Sequence, residues 1–177
     1  IGEHVSAANG NGTNINIVNT DSLNGKVVKV RVRSAVNSDD LFDFTLLMSP
    51  SDVWSGVITT NPATGRGALV TNDKSCTLPA GVAGGGYNDF AVDRLPTRNL
   101  SAEELANWTR EGYVEILNMA DIPGPRAGAH PAQSGTWGAF EWDTASQDPA
   151  NIENNWGRLF KAVKHVNGVA PCTATVL

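Results

Sequence analysis

The 177-residue chain predicts a mainly β protein folded as an antiparallel sandwich or barrel, and three observations carry that expectation. Apolar and polar residues alternate along several short runs, the period of a half-buried strand. Turn formers separate those runs every eight to twelve residues through the first 80, the spacing of stacked or closed sheets. Only two stretches, 102–109 and 149–166, carry apolar residues at helical spacing, so helices are accessory.

The elements follow in order. Residues 1–12 (IGEHVSAANGNG) are polar and rich in Gly and Asn, and read as a loose N-terminal arm. A single domain fills 13–177. Residues 14–18 alternate, and so do 26–33, with Val28, Val30 and Val32 on one face and Lys29, Arg31 and Arg33 on the other. Asn24-Gly25 lies between these runs; both residues tolerate positive φ, which predicts a β-hairpin. The run 41–48 is short, aromatic and closed by Ser49-Pro50, and reads as a buried strand. Strands at 53–59 and 68–71 follow, divided by the turn 61–65.

Pro79, Gly81, the three glycines 84–86 and Pro96 make 79–99 a long surface loop. Ser101 followed by Glu104 is a capping box, and Leu105 and Trp108 continue at helical spacing, so a short helix spans 102–109. Residues 113–118 read as a strand, 121–135 as a second long loop, and 136–143 (TWGAFEWD) as a strand. Asp148-Pro149 offers an N-cap with Pro at the first helical position. Ile152, Trp156, Leu159, Phe160 and Val163 then form an apolar stripe, read as core packing, and Gly168 stops the helix of 149–166. Residues 173–177 form a final apolar strand.

Composition excludes some function classes. Thirteen basic residues against eighteen acidic give a net charge of −5, so no nucleic-acid coat is expected, because phosphate binding needs a basic surface. No run of 18 apolar residues exists to span a membrane. The chain starts at Ile1 without Met and stops at Thr175-Val176-Leu177, which reads as the processed ends of an exported protein whose signal has been removed. Cys76 and Cys172 lack a CxxC motif or clustered His for tetrahedral zinc, and read as one disulfide; two buried free thiols are the alternative.

Catalytic signatures are missing. The chain has no phosphate-binding loop, dinucleotide fingerprint, nucleophile elbow or HExxH pair, and His4, His130 and His165 are scattered, so neither a cofactor nor an enzyme activity is expected. Two constellations have a chemical reading. Glu141 and Asp143, two apart on a strand, would sit roughly 7 Å apart on one face, as a glycosidase pair can, with Trp142 and Trp137 to stack on sugar. A solvated strand face beside core aromatics is the plainer reading. Asp39, Asp40 and Asp43, near Asn37, could gather oxygen ligands for calcium. Plain turn formers, or cross-strand partners of Lys29, Arg31 and Arg33, explain them equally. Three Asn-x-Ser/Thr sequons stand at Asn11, Asn99 and Asn107.

One resemblance adds to this. The stretches Ile15-Asn16-Ile17-Val18-Asn19-Thr20-Asp21, Val28-Lys29-Val30-Arg31-Val32-Arg33, Asn37-Ser38-Asp39-Asp40-Leu41-Phe42-Asp43-Phe44 and Leu47-Met48-Ser49-Pro50-Ser51-Asp52-Val53-Trp54 resemble a bacterial exported "cell surface protein" family. Asn72-Asp73-Lys74-Ser75-Cys76-Thr77 and Arg110-Glu111-Gly112-Tyr113-Val114-Glu115-Ile116 fit the same pattern, as does Pro171-Cys172. The resemblance implies an exported protein with an immunoglobulin-like β-sandwich start and no catalytic residues to carry over.

The expected fold is therefore a mainly β, antiparallel sandwich of immunoglobulin-like or jelly-roll-like form, with short helices near 102–109 and 149–166. The expected function is a non-enzymatic cell-surface or extracellular structural protein, a self-assembling subunit of a surface filament or layer. Its partners would be copies of itself, joined by β-strand addition through Ile1 and Val5 of the arm and Thr173, Thr175, Val176 and Leu177 of the last strand. The alternatives are a carbohydrate-binding or glycan-cleaving module and an adhesin, whose partner would be a surface glycan or a host protein.

Overall fold

A computed structural model describes residues 2–95, 99–122, 124 and 158–172. Two antiparallel sheets face one another, as the alternating pattern predicts. The larger sheet has the order β1-β9-β3-β4-β7 and the smaller β2-β5-β6-β8. Their strands are β1 (Gly2–Ser6), β2 (Thr13–Val18), β3 (Gly25–Ser34), β4 (Asp40–Met48), β5 (Val53–Thr60), β6 (Gly67–Val70), β7 (Cys76–Leu78), β8 (Asn88–Asp89) and β9 (Glu111–Ile122). Helix α1 (Ala102–Trp108) precedes β9, and α2 (Arg158–Val163) lies in the C-terminal segment.

The core fills the space between the sheets. Val28, Val30 and Val32 of β3 are all buried, as their alternation with Lys29, Arg31 and Arg33 requires. Phe44 and Leu46 join them from the larger sheet, and Ile15, Trp54, Ile58 and Leu69 from the smaller. The Phe44 and Trp54 rings meet at 5.6 Å between centroids. Gly56 makes room for that indole, since a Cβ there would stand 2.6 Å from the Trp54 ring.

Three expectations change. First, the expected loose arm 1–12 holds a strand. Gly2–Ser6 is β1, paired antiparallel with Glu111–Glu115 of β9. The alternation is brief but present: His4 is exposed, Val5 and Ala7 are buried, and Ser6 between them is half-buried. Second, Asn24-Gly25 makes no hairpin. β2 pairs with β5 and β3 with β4 and β9, so the chain changes sheet at this point. Neither Asn24 nor Gly25 has positive φ; the glycine is needed because a Cβ would lie 2.6 Å from the Met48 carbonyl oxygen. Asp21 shapes the connection, its Oδ1 accepting from the N–H groups of Leu23 and Asn24 at 2.9 and 3.0 Å.

Third, the stretch 79–99 is more than a surface loop. It holds a 3₁₀ turn (Ala80–Gly84) and β8, and buries Val82, Phe90 and Leu95 in the core. Helix α1 forms where expected. Ser101 caps it, accepting from Glu104 N–H, while Glu104 reaches back to Ser101, the reciprocal pair the sequence encodes. The expected strand 113–118 is the middle of the longer β9, which also takes in 121 and 122 from the expected loop 121–135. The expected helix 149–166 is described only as α2, and the expected strand 136–143 and the last strand 173–177 lie outside the described residues.

A second, smaller core lies on the outer face of the larger sheet. Leu47, Cys76 and Ile122 of the sheet meet Val163 and Ala170 of the C-terminal segment, with Val27, Leu159 and Cys172 around them. Cys76 and Cys172 form the expected disulfide, closing a separation of 96 residues with Cα atoms 5.3 Å apart. Cys172 N–H also donates to the Ala162 carbonyl at 2.9 Å, so the segment folds back on α2.

Candidate functional site: the open edge of the larger sheet

β9 is twelve residues long, and among the described residues its two sides are not equally covered. On one side β3 accompanies it from Gly112 to Ile122. On the other, β1 pairs only from Glu111 to Glu115. Backbone directions can be assigned from two flanking bonds. Ala7 N–H donates to the Arg110 carbonyl at 2.7 Å, and Ala35 N–H, at the end of β3, donates to the Glu111 carbonyl at 3.0 Å. Successive residues of an antiparallel ladder present their N–H and C=O to opposite sides. The β3 register runs unbroken from Gly112 to Asn118, so Gly112, Val114, Ile116 and Asn118 all turn their backbone groups toward the β1 side. Among the described residues, no strand receives those of Ile116 and Asn118.

The exposed side chains of this stretch are mixed, Asn118 lying between Leu117 and Met119. Leu117 is 46% exposed and Met119 52%. Met119 is the extra residue of a bulge, because Asn118 faces Val28 while Ala120 faces Val27. A strand added beside β9 would therefore find a regular ladder up to Asn118 and a bend beyond it.

The other edges differ. β7 has three residues and β8 two, too short to serve as templates. β2 has six, and its exposed side chains are Asn14, Asn16 and Val18. Behind it a shallow depression of about 450 Å³ is lined by Asn14, Asn16, Ser55, Val57, Asn72 and Asp73. Asn16 Oδ1 accepts from Ser55 Oγ at 2.8 Å across its floor.

The exposed half of the larger sheet carries a charge lattice, and the candidate calcium ligands belong to it. Asp43 pairs with Lys29 at 3.1 Å. Asp40 meets three arginines, Arg33 at 3.3 Å, Arg94 at 3.2 Å and Arg31 at 3.8 Å. The Asp39 carboxylate accepts from the Asn37 side chain, and its carbonyl accepts from Ser34 N–H at 3.0 Å, all within the β3–β4 turn. The cross-strand pairing reading is the one the geometry shows for Asp40 and Asp43. Arg33 also binds Glu115, whose hydrogen bond is the largest cause holding its guanidinium firmly charged. At the far end of β3, burial works against the Lys26 ammonium. Asp121 at 2.7 Å and Asp21 at 3.2 Å more than offset it, and the lysine titrates above its ordinary range.

One polar cluster was not legible in the sequence. Ser49 Oγ lies 2.9 Å from His165 Nδ1, and Asp52 Oδ2 is 3.5 Å from the same nitrogen. A catalytic relay places hydroxyl and carboxylate on different ring nitrogens, so this is not one. Asp52 Oδ2 also accepts from Ser49 N–H at 3.0 Å and Ser75 Oγ at 3.3 Å. The cluster fastens the C-terminal segment to the β4–β5 turn.

The remaining expected site residues divide plainly. Val5 is in the core, filling a slot rather than offering a free contact. Cys76 and Cys172 are bonded to each other. Ile1, Thr173, Thr175, Val176 and Leu177, and the sugar-site residues Glu141, Trp142 and Asp143, lie outside the described residues. Compared with protein-family models, with curated proteins and with solved structures, the chain matches none of them.

Proposed function

We propose that this β-sandwich is a non-catalytic structural subunit of the cell exterior, joined to copies of itself by exchange of β1. The ladder between β1 and β9 carries the reading. Among the described residues β1 pairs with β9 alone, through five register positions, and sends Val5 into the core. The strand β1 of a neighbouring copy would make the same bonds and fill the same slot. A head-to-tail exchange whose rotation does not close grows a filament, and the proposed assembly is of that kind. The connection that would open is short and glycine-rich, with Asn9 at φ 55° and Gly10 at φ 77°. The Cys76–Cys172 disulfide supports an oxidising compartment, in line with the exported family the sequence resembles.

A cross-strand cysteine pair tests the exchange. His4 stands opposite Tyr113 at a position where β9 turns its backbone groups toward β3, the close-packed kind of antiparallel pair. His4→Cys with Tyr113→Cys, oxidised after assembly, is expected to give a ladder of covalent oligomers on a non-reducing gel. Electron microscopy of the same material should show fibres. Monomers alone, at concentrations where the wild type associates, would mean that β1 stays with its own chain.

A second reading rests on the depression behind β2. Its amides, hydroxyl and carboxylate beside Val57 suit a saccharide, as an exported carbohydrate-binding module would require. Asn16→Ala and Asp73→Ala should then abolish retention on a glycan array, and a blank array for the wild type would end this reading.

A further inference from the structure

We infer that Asn11, Asn99 and Asn107 accept N-linked glycans, which together cap one end of the sandwich and leave the opposite end bare. The inference rests on the exported location proposed above. Each asparagine opens an Asn-x-Ser/Thr sequon, completed by Thr13, Ser101 and Thr109 respectively. All three are exposed. None of their side-chain amides has a hydrogen-bond partner among the described residues, in contrast to Asn19, Asn24, Asn37, Asn61 and Asn88, whose amides are all engaged.

The fold brings the three sites to a common end. Asn11 follows β1 and stands just ahead of Thr13, which pairs with Ile58; nearby, Thr60 Oγ1 donates to the Ala7 carbonyl at 2.6 Å. Helix α1, which carries Asn107, ends against the β5–β6 turn, where Gly67 N–H donates to Thr109 Oγ1 at 2.8 Å. Ala7 N–H donates to the carbonyl of Arg110, the next residue, so the two regions touch. Asn99 lies just before the cap of the same helix, whose seven residues span about 10 Å. The far end of the sandwich holds the 19–24 connection, the Ser49–Asp52 turn and the disulfide, and no described residue there opens a sequon. The ten residues of β3 separate the two ends by about 30 Å. Asn118, on the open stretch of β9, belongs to the bare half, so glycans at the other end would not cover it.

The modification is a group transfer. The amide nitrogen of asparagine attacks the anomeric carbon of a lipid-pyrophosphate-linked oligosaccharide, forming the C–N bond. The anomeric C–O bond breaks, the lipid pyrophosphate leaves with the electron pair, and the amide gives up one proton. In the folded chain Thr13 Oγ1 is bonded to the Ser6 backbone and Thr109 Oγ1 to Gly67 and Ala106. Transfer therefore precedes closure of the fold.

Peptide mass spectrometry of the chain purified from its own source tests this. Peptides bearing Asn11, Asn99 or Asn107 should carry saccharide increments, and Asn11→Gln, Asn99→Gln and Asn107→Gln should each remove only their own. Asparagine variants are preferable to changing Thr109, which the fold uses. Three unmodified asparagines in a chain whose Cys76 and Cys172 peptides are disulfide-linked would overturn the inference while leaving export standing. Free thiols at both cysteines together with bare asparagines would overturn both.

Discussion

Removal of the one covalent tie tests how the C-terminal segment is held. Cys76→Ala with Cys172→Ala opens a loop whose ends are 96 residues apart in sequence. In the chain-entropy treatment a loop of that size restricts the unfolded chain by about 4.7 kcal/mol. For a domain of this length each kcal/mol moves the melting temperature by roughly 2–4 °C, so a fall of about 10–20 °C is expected. The loss should also be uneven. Among the described residues, the segment 158–172 keeps only Ala162, Val163 and Ala170 buried, with the Ser49–His165–Asp52 cluster at its margin. The sheets hold the larger core independently. Limited proteolysis should therefore cut the variant first beside Arg158, Lys161 or Lys164, while a fragment containing β1 to β9 stays protected. Calorimetry reads the first effect and mass mapping of the fragments the second. A melting temperature within about 3 °C of the wild type, with the segment still protected, would show that packing alone holds it.

Other outcomes follow from single groups. Val5→Ala should weaken the seat of β1 by about 1–3 kcal/mol. Hydrogen exchange should then quicken at the Val114 amide, which faces β1, and stay slow at the Glu115 amide, which faces β3; equal change at both would refute the assigned directions. Gly112→Ala would push a Cβ to 2.0 Å from the Arg33 carbonyl oxygen. Chemical denaturation should show a loss of at least about 2 kcal/mol, since the clash is with backbone. The Asp21 carboxyl is held well below its ordinary pKa, first by Asn24 N–H, then by the Asn24 side chain and Leu23 N–H. A depressed folded pKa contributes stability that is full above the unfolded value near pH 4 and fades as pH falls toward the folded one. Asp21→Asn should thus lower the melting temperature at pH 7 and flatten its decline below about pH 4; parallel curves for variant and wild type would count against this role.

What the sequence made legible was local. The alternation of Val28, Val30 and Val32 with charged neighbours determines which face of β3 is buried, and Ser101 with Glu104 determines where α1 begins. Pairing across sheets is not local, and there the reading of Asn24-Gly25 failed. An Asn-Gly step favours a tight turn, but the apolar faces of β2 and β3 have to close opposite sides of one core, and burial outweighs turn preference. β1 escaped notice because its signal is only Val5 and Ala7 in a Gly- and Asn-rich run. The bulge at Met119 could not be seen at all, since it is defined by how β9 registers against β3. Arg94 likewise reaches Asp40 from 54 residues away, a contact that no spacing rule anticipates.

The distribution of glycine bears on which part of the edge can move. β3 and β9 are pressed together at both ends by residues without a side chain. Gly112 leaves no room for a Cβ against Arg33, and Gly25 none against Met48 or Ile122. β9 is therefore a fixed rail, backed by β3 along nearly its whole length and closed over at Ile122 by the disulfide-bound segment. β1 is attached differently. Its ladder has five positions, Val5 contributes about 1.5–3 kcal/mol by burial, and Ser6 adds one bond to Glu111 at 2.6 Å. β1 is an edge strand of its sheet, so the proposed exchange requires this one ladder to open locally. Were β1 to leave, the backbone groups of Gly112 and Val114 that face it would lose their partners. That is the condition natural sheets avoid unless something pairs there. In the proposed exchange a second β1 would satisfy it with the same five-position ladder and side chains already matched to the slot.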